Sequence, residues 1–536
     1  MTHASRSRLA RPALVLAVFS AAVFGASPSR ALEGAALERG TAIIDPFALR
    51  ELDQGEPKAS GIKRDGFSLR RFIPTARSDN TPILDDELFS LPSMAPVRKA
   101  LDADFERYLA GHKASLPDET IGVGLSFDWQ MFDRELLYSA RARFVLAGVV
   151  NRMDRAYVSP ETCGEVRLIY RLTRLDQAPV GETANSPRLP MTLNVILKAK
   201  GEKAVAPGGV AMNCKEIAQR WLAAADWPET GVDLANRLMA AGGPLETIDP
   251  AAIDRIETNL QIAHAPKSSV RDFRTDYLMK VFRYDAQARA FVESPMENQI
   301  DRDRILSDDR LKADFKTWLL EPKNFGALDR GTILIPDEFL AKSVIAPTPV
   351  GFVASELQPA FGLVQGEGEN PVFTEQDVVG ALEKSAATLQ NIRSVAGFAR
   401  RLNDVGCGGC HQTRGIGGFH FPGVDWMAAK PSNSTVVPAS PHFFGDQVRR
   451  RDILTAFGEG RPPDFSRGFA GRPQTRGTTE LAGTEYEDGW GSHCYQQRDN
   501  EAENDKSFRA WTCAEGLSCQ IASPATRMGM CFIKNR

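Results

Sequence analysis

"CGEVRLIYRLTRL", residues 163–175, has strand length and β-branched content. Two neighbours share that character, "ARFVLAGVVNRMD" (142–154) and "PMTLNVILKAK" (190–200). "NCKEIAQRWLAAADW" (213–227) reads as a helix. Further strands are predicted at "IDRIETNLQIAH" (253–264) and at "DYLMKVFRYD" (276–285) with "ARAFVES" (288–294), turned at "AQ". Together they predict an α+β body over residues 115–300. Cys163 opens a strand and Cys214 opens the helix, so a disulfide between them would staple helix to sheet.

Upstream, residues 32–90 are rich in Asp, Pro, Gly and Arg without clear periodicity, and read as an extended or loosely packed arm. Ser93 then acts as an N-cap with Pro96 in the first turn. Val97, Leu101, Phe105, Tyr108 and Leu109 follow at helical spacing to about Lys113. At the start of the chain, Arg6, Arg8 and Arg11 flank an apolar run, "PALVLAVFSAAVFGA" (12–26), and Ser29 and Ala31 supply the small residues of a cleavage site after Ala31. The run is shorter than the roughly 20 residues that span a bilayer. The expectation is a cleaved signal peptide, a bacterial periplasmic or secreted chain, and no transmembrane anchor after cleavage.

Composition narrows the function classes. Charged residues at 25% and hydrophobic residues at 43% are ordinary for a globular protein. A formal charge of −3 leaves no footprint for nucleic acid or an anionic membrane. The body carries no Walker sequence, no G-x-S-x-G and no H-E-x-x-H. "GEGEN" (366–370) lacks the spacing and preceding strand of a phosphate loop, and His264, at a strand end, reads as a lone structural histidine.

Eight cysteines form an even set. Cys494, Cys513, Cys519 and Cys531 lie in a tail too short to fold without two disulfides, and four cysteines allow three pairings. Cys407 and Cys410 lie in "VGCGGCHQTRGIGGFHFPG" (405–423). Ahead of it, Thr374 and Asp377 form a capping box. Val378, Leu382, Ala386, Leu389, Ile392, Ala396 and Ala399 recur every three or four residues, so one long helix is predicted to about Leu402, delivering the chain to Gly406 and Cys407.

Helix, C-G-G-C-H and the loop beyond it, over roughly 375–465, resemble c-type cytochromes. The resemblance implies one covalent haem c, with its iron, per chain. Cys407 and Cys410 would carry the thioethers and His411 would be the proximal iron ligand. Cysteines at i and i+3 point the same way, the next residue carries an imidazole beneath the iron, and Gly408 and Gly409 let the porphyrin edge lie against the backbone. A redox dithiol normally follows a strand and opens a helix, a structural zinc site needs four ligands, and a disulfide within the motif leaves His411 unexplained. For the sixth iron position His420, Met427 and His442 are within reach. His420 is favoured, because Phe419 and Phe421 flank it and Gly415, Gly417 and Gly418 let the chain bend. Met427 reads as a packing residue, and a vacant sixth site is the remaining alternative.

The expected function is that of an exported monohaem c-type cytochrome passing single electrons to a redox partner protein of unknown identity. The alternatives are a haem-dependent peroxidase or oxidase whose body forms a substrate pocket, and a haem-based sensor. From Arg393 to Arg467 ten Lys/Arg face six Asp/Glu, densest at 449–451. That run reads as a solvated helix face, or as a basic rim that steers an acidic partner or neutralises haem propionates. The expected fold class is α+β multidomain: signal peptide (1–31), N-terminal arm and helix (32–114), β-rich body (115–300), connecting region (301–374), mostly helical haem domain (375–465), linker (466–485) and disulfide-rich C-terminal module (486–536).

Overall fold

The computed structural model describes residues 40–54, 66–74, 82–121, 134–175, 188–199, 204–205, 211–268, 274–347, 362–366, 369–408, 426–427, 446–468, 493–508, 511–513, 516–521 and 527–533. Its centre is a nine-stranded antiparallel sheet. The strands, in chain order, are β1 (Ala42–Ile43), β2 (Glu119–Ile121), β3 (Ala142–Arg152), β4 (Glu165–Arg174) and β5 (Arg188–Lys198). A two-stranded hairpin, β6 (Ala204–Val205) with β7 (Ala211–Met212), stands apart. β8 (Ile253–Pro266), β9 (Arg274–Asp285), β10 (Ala290–Ser294) and β11 (Ser343–Pro347) complete the sheet. Its order is β1-β3-β4-β5-β8-β9-β10, with β2 also on β8 and β11 also on β9. The predicted strands at 142–154, 163–175, 190–200, 253–264 and 276–294 are all present.

Register explains why these sequences make a sheet buried on both sides. Leu168, Val195, Ile256 and Phe282 sit opposite one another across β4, β5, β8 and β9 and share one face. Helix α1 (Pro46–Gln54) lies near the β1 edge. Helix α2 (Ala95–Ser115) lies on this apolar face, where Lys280 reaches Asp104 and the Tyr108 hydroxyl donates to Asp276 Oδ2 at 2.9 Å. Ser93 does not cap α2: Met94 takes that position, and the Ser93 hydroxyl donates to the Pro74 carbonyl at 2.5 Å. The opposite face carries Arg167, Arg171, Thr192, Asn194, Arg255, Glu257 and Asn259, all buried.

The N-terminal region is not a loose arm. β1 pairs with β3, and Leu49, Leu52, Phe67 and Phe72 enter the main core. Asp53 is buried too, accepting from the Leu146 N–H at 3.0 Å and from Arg143 at 3.1 Å. Helices α3 (Cys214–Ala223) and α4 (Gly231–Met239) complete the body. Asn213 and Glu216 form a capping box at the start of α3, and the Cys163–Cys214 disulfide fastens that helix to the β4 edge as expected.

A second core lies beyond the sheet. Helices α5 (Arg302–Ser307), α6 (Asp309–Leu320) and α7 (Pro322–Arg330) pack with α8 (Glu375–Ser385) and α9 (Val395–Val405) around Phe315, Leu319, Phe325, Phe398 and Leu402. The segment expected as a connector therefore supplies three helices of this layer. The single long helix predicted from Thr374 to Leu402 is two helices. The capping box at Thr374 is present, but between α8 and α9 the fully buried Asp329 carboxylate accepts the N–H groups of Gln390, Asn391 and Ile392 at 2.7, 2.8 and 2.6 Å. Those donors are diverted from a helix ladder, and Ser394 caps a new start by accepting from the Gly397 N–H.

Helix α10 (Gln447–Glu459) packs back against α3. The C-terminal module is a small sheet in the order β12-β14-β13, formed by β12 (His493–Tyr495), β13 (Leu517–Gln520) and β14 (Met528–Ile533). Of the three pairings open to its cysteines, it uses Cys494–Cys519 and Cys513–Cys531. The fold is α+β with a disulfide-rich C-terminal module. No helix among the described residues is long and apolar enough to cross a membrane.

Candidate functional site

Helix α9 carries the chain to the cysteine motif. Phe398, Leu402 and Val405 face the helical core, and Arg400 pairs with Asp404 at 2.9 Å, both buried. Arg401 donates to the carbonyls of Asp329 and Arg467 at 2.8 and 2.9 Å. The C-terminal module docks on the first turn of α9. The Ser394 hydroxyl donates to Asp505, the Ser507 hydroxyl accepts from the Arg393 N–H at 2.9 Å, and the Arg400 guanidinium lies over Trp511. A Cβ on Gly397 would stand 2.1 Å from Ser507 Oγ, which is why this approach needs glycine.

Cys407 follows α9 and is buried. It is the one free cysteine among the described residues, the other six being paired in disulfides. Burial pushes its thiol up to about 12, with help from the Glu257 and Glu297 carboxylates and against the pull of Arg167. A buried, protonated thiol is the opposite of a redox-active dithiol, whose nucleophilic sulfur has a lowered pKa. The Gly408 N–H donates to Gln299 Oε1 at 2.9 Å, and a Cβ on Gly408 would lie 3.1 Å from Val344 on β11. This glycine thus meets protein packing at its own Cα. Beyond it, the Trp426 indole N–H donates to the Leu146 carbonyl at 2.8 Å, where the β3–β4 register shifts. Met427 packs against the main core, which fits the packing role read for it. Cys410, His411, His420 and His442 lie outside the described residues.

Cys407 stands over the polar face of the sheet. There Glu165 binds Arg155, Arg167 and Arg255 at 3.2, 2.9 and 2.9 Å, and Glu257 binds Arg167 and Arg255 at 3.2 and 3.1 Å. An adjoining cluster joins Asp154 to Arg152, Arg449 and Arg467, and Asp446 to Arg449 and Arg450. Burial opposes ionisation of Asp154, but Arg152, Arg450 and Arg449 outweigh it and hold the carboxyl well below its usual range. The basic run at 449–451 is therefore not simply a solvated face or a docking rim: Arg449 and Arg450 belong to an interior ion network.

His264 is not alone. Its Nδ1 lies 2.5 Å from Glu119 Oε2, and the same oxygen is 2.8 Å from His112 Nε2. The two imidazoles meet edge to face with centroids 4.6 Å apart. Burial disfavours a charged His264, yet Asp276 and Glu119 outweigh it and raise the pKa above the ordinary value. No sequence spacing signals this group, because its members are brought together by α2, β2 and β8 rather than by one element.

Compared with protein-family models, curated proteins and solved structures, the chain finds no match in any of the three.

Proposed function

We propose that the protein is an exported monohaem c-type cytochrome that transfers single electrons. The observation that carries the reading is Cys407: a free, buried thiol that opens C-G-G-C-H, in a chain whose other described cysteines are all in disulfides. A sulfur reserved from pairing, two residues past the end of α9, suits thioether formation. The disulfides and the apolar run at 12–26 support an oxidising compartment outside the cytoplasm, where c-type attachment takes place.

In this reading Cys407 and Cys410 would hold the cofactor through thioethers, His411 and His420 would ligate its iron, and Phe419 and Phe421 would help to exclude water. The bound haem supplies a one-electron iron couple. Among the described residues, the charged groups that act on Cys407 (Arg167, Glu257 and Glu297) are ion-paired, and two imidazole ligands would favour a lower potential than a methionine would.

The test is expression with a c-type maturation system. The denatured protein should keep its haem stain on a gel, and the stain should vanish in Cys407→Ser with Cys410→Ser. An unstained wild type, or stain that survives the double substitution, overturns the proposal. The ferric spectrum should be low-spin and should turn high-spin in His420→Ala.

A further inference from the structure

On the apolar face of the sheet, opposite Cys407, the group at His112, Glu119 and His264 has the donor set of a metal site. One atom from each residue, His112 Nε2, Glu119 Oε2 and His264 Nδ1, lies within 4.8 Å of the other two. All three side chains are largely withdrawn from solvent, with relative exposures of 6%, 14% and 6%. They come from three elements, α2, β2 and β8, so the grouping is tertiary. The other such group among the described residues, Cys494, Cys513 and Cys519, consists of disulfide sulfurs and has no free ligand.

Hydrogen-bond accounting shows which tautomers let this group ligate an ion. The Tyr108 hydroxyl spends its proton on Asp276 Oδ2 at 2.9 Å, so at 3.3 Å from His112 Nδ1 it can only accept. A neutral His112 then carries its proton on Nδ1. His264 Nε2 faces the same Asp276 oxygen at 3.6 Å, which favours its proton on Nε2. In those neutral tautomers His112 Nε2 and His264 Nδ1 both turn a lone pair toward Glu119 Oε2, the arrangement that receives a metal ion; without one, a protonated His264 donating to Glu119 and Asp276 supplies the positive charge. An imidazole whose outer N–H is held by a carboxylate or hydroxyl is the usual second layer of a metal-bound histidine.

We propose that His112 Nε2, Glu119 Oε2 and His264 Nδ1 bind a first-row divalent transition ion, for which Zn²⁺ is the probe, and that Tyr108 and Asp276 hold the rings in the ligating tautomer. Two imidazoles and one carboxylate suit zinc and its neighbours better than magnesium or calcium, which take oxygen ligands. Bonds of about 2.0–2.1 Å in a tetrahedron set ligand atoms about 3.3 Å apart, so the present separations of 2.5 and 2.8 Å need to open by less than about an ångström. Three protein ligands leave a fourth position for water or a small ligand. His112 and Tyr108 also line a cleft of about 350 Å³ with Asp104, Arg107, Leu278 and Ile345, which gives an ion a route in. The site stands apart from the cysteine motif and does not depend on haem.

Full-length protein stripped with a chelator should take up one Zn²⁺ per chain, measured by elemental analysis with any haem iron counted separately. Co²⁺ should give the visible d–d bands of a four-coordinate ion, and excess Mg²⁺ should not displace it. Glu119→Gln and His264→Ala should each weaken Zn²⁺ binding about 100-fold or more, and Tyr108→Phe about 10-fold. A wild type that binds no Zn²⁺, a Co²⁺ spectrum of six-coordinate form, or an affinity unchanged in Glu119→Gln and His264→Ala would overturn the proposal. The wild-type uptake and spectrum decide the matter even where a substituted chain fails to fold.

Discussion

Asp85 shows what one residue can hide. It opens a short helical turn, Asp85–Leu88, is fully buried, and neither carboxyl oxygen has a hydrogen-bond partner among the described residues. Burial, with Asp86 beside it, pushes its pKa well above the ordinary value. In acid, both folded and unfolded chains carry the proton and Asp85 is neutral to stability. As pH climbs past about 4, the unfolded chain ionises while the folded one keeps its proton, so stability falls until pH passes the raised folded value. Asp85→Asn removes the titration. It should raise the urea midpoint at pH 7 by an amount equivalent to roughly 1–3 kcal/mol and change it little near pH 4. Equal effects at both pH values would mean that the carboxyl is paired. Nothing in "TPILDDELFS" (81–90) distinguishes Asp85 from Asp86, because burial is decided by what packs over the turn.

At the level of elements, legibility follows the range of the forces. The strands of the body could be read because apolar, β-branched runs of strand length are a local signal. The capping box at Thr374 is local as well. The break between α8 and α9 was not legible: Ala386, Leu389 and Ile392 continue the helical spacing, while the carboxylate that stops the helix, Asp329, lies 61–63 residues upstream. The pairing of Arg449 has the same cause, since its partner Asp154 is 295 residues away. His112, Glu119 and His264 were missed for this reason too. The Cys163–Cys214 staple was legible because Cys214 opens α3 and Cys163 stands just before β4. It closes a loop of 51 residues, for which chain entropy gives about 4 kcal/mol. Replacing both cysteines by alanine should lower the thermal midpoint correspondingly and leave the C-terminal module's disulfides intact by mass. An unchanged midpoint would mean that the packing of α3 alone holds it to the sheet.

Across the whole molecule, the polar side of the sheet ties distant parts of the chain together. Asp154, just past β3, holds Arg449 of α10 and Arg467 beyond it, so the C-terminal helix is fastened to the body by buried charge. Burial pushes Asp154, Asp446 and Glu165 up. Their arginines outweigh it, Arg152 first for Asp154, Arg449 for Asp446 and Arg255 for Glu165, and all three end well below the usual range. A carboxylate depressed in the folded state contributes stability that is complete above its unfolded value, near 4, and is lost as pH falls toward the folded one. Stability should therefore hold from neutral pH down to about 4 and drop steeply below it, as the arginines lose their counter-ions. Asp154→Asn makes the same change at neutral pH. It strips the anion from Arg152, Arg449 and Arg467 together and should cost roughly 3–5 kcal/mol. Hydrogen exchange locates the loss. Protection should fall first in Gln447–Glu459, whose anchor is gone, while β4, β5 and β8 keep theirs through Glu165 and Glu257. Uniform loss over sheet and helix would show that the two ion clusters act as one unit. Full protection of α10 would show that its packing on α3 suffices without the charges.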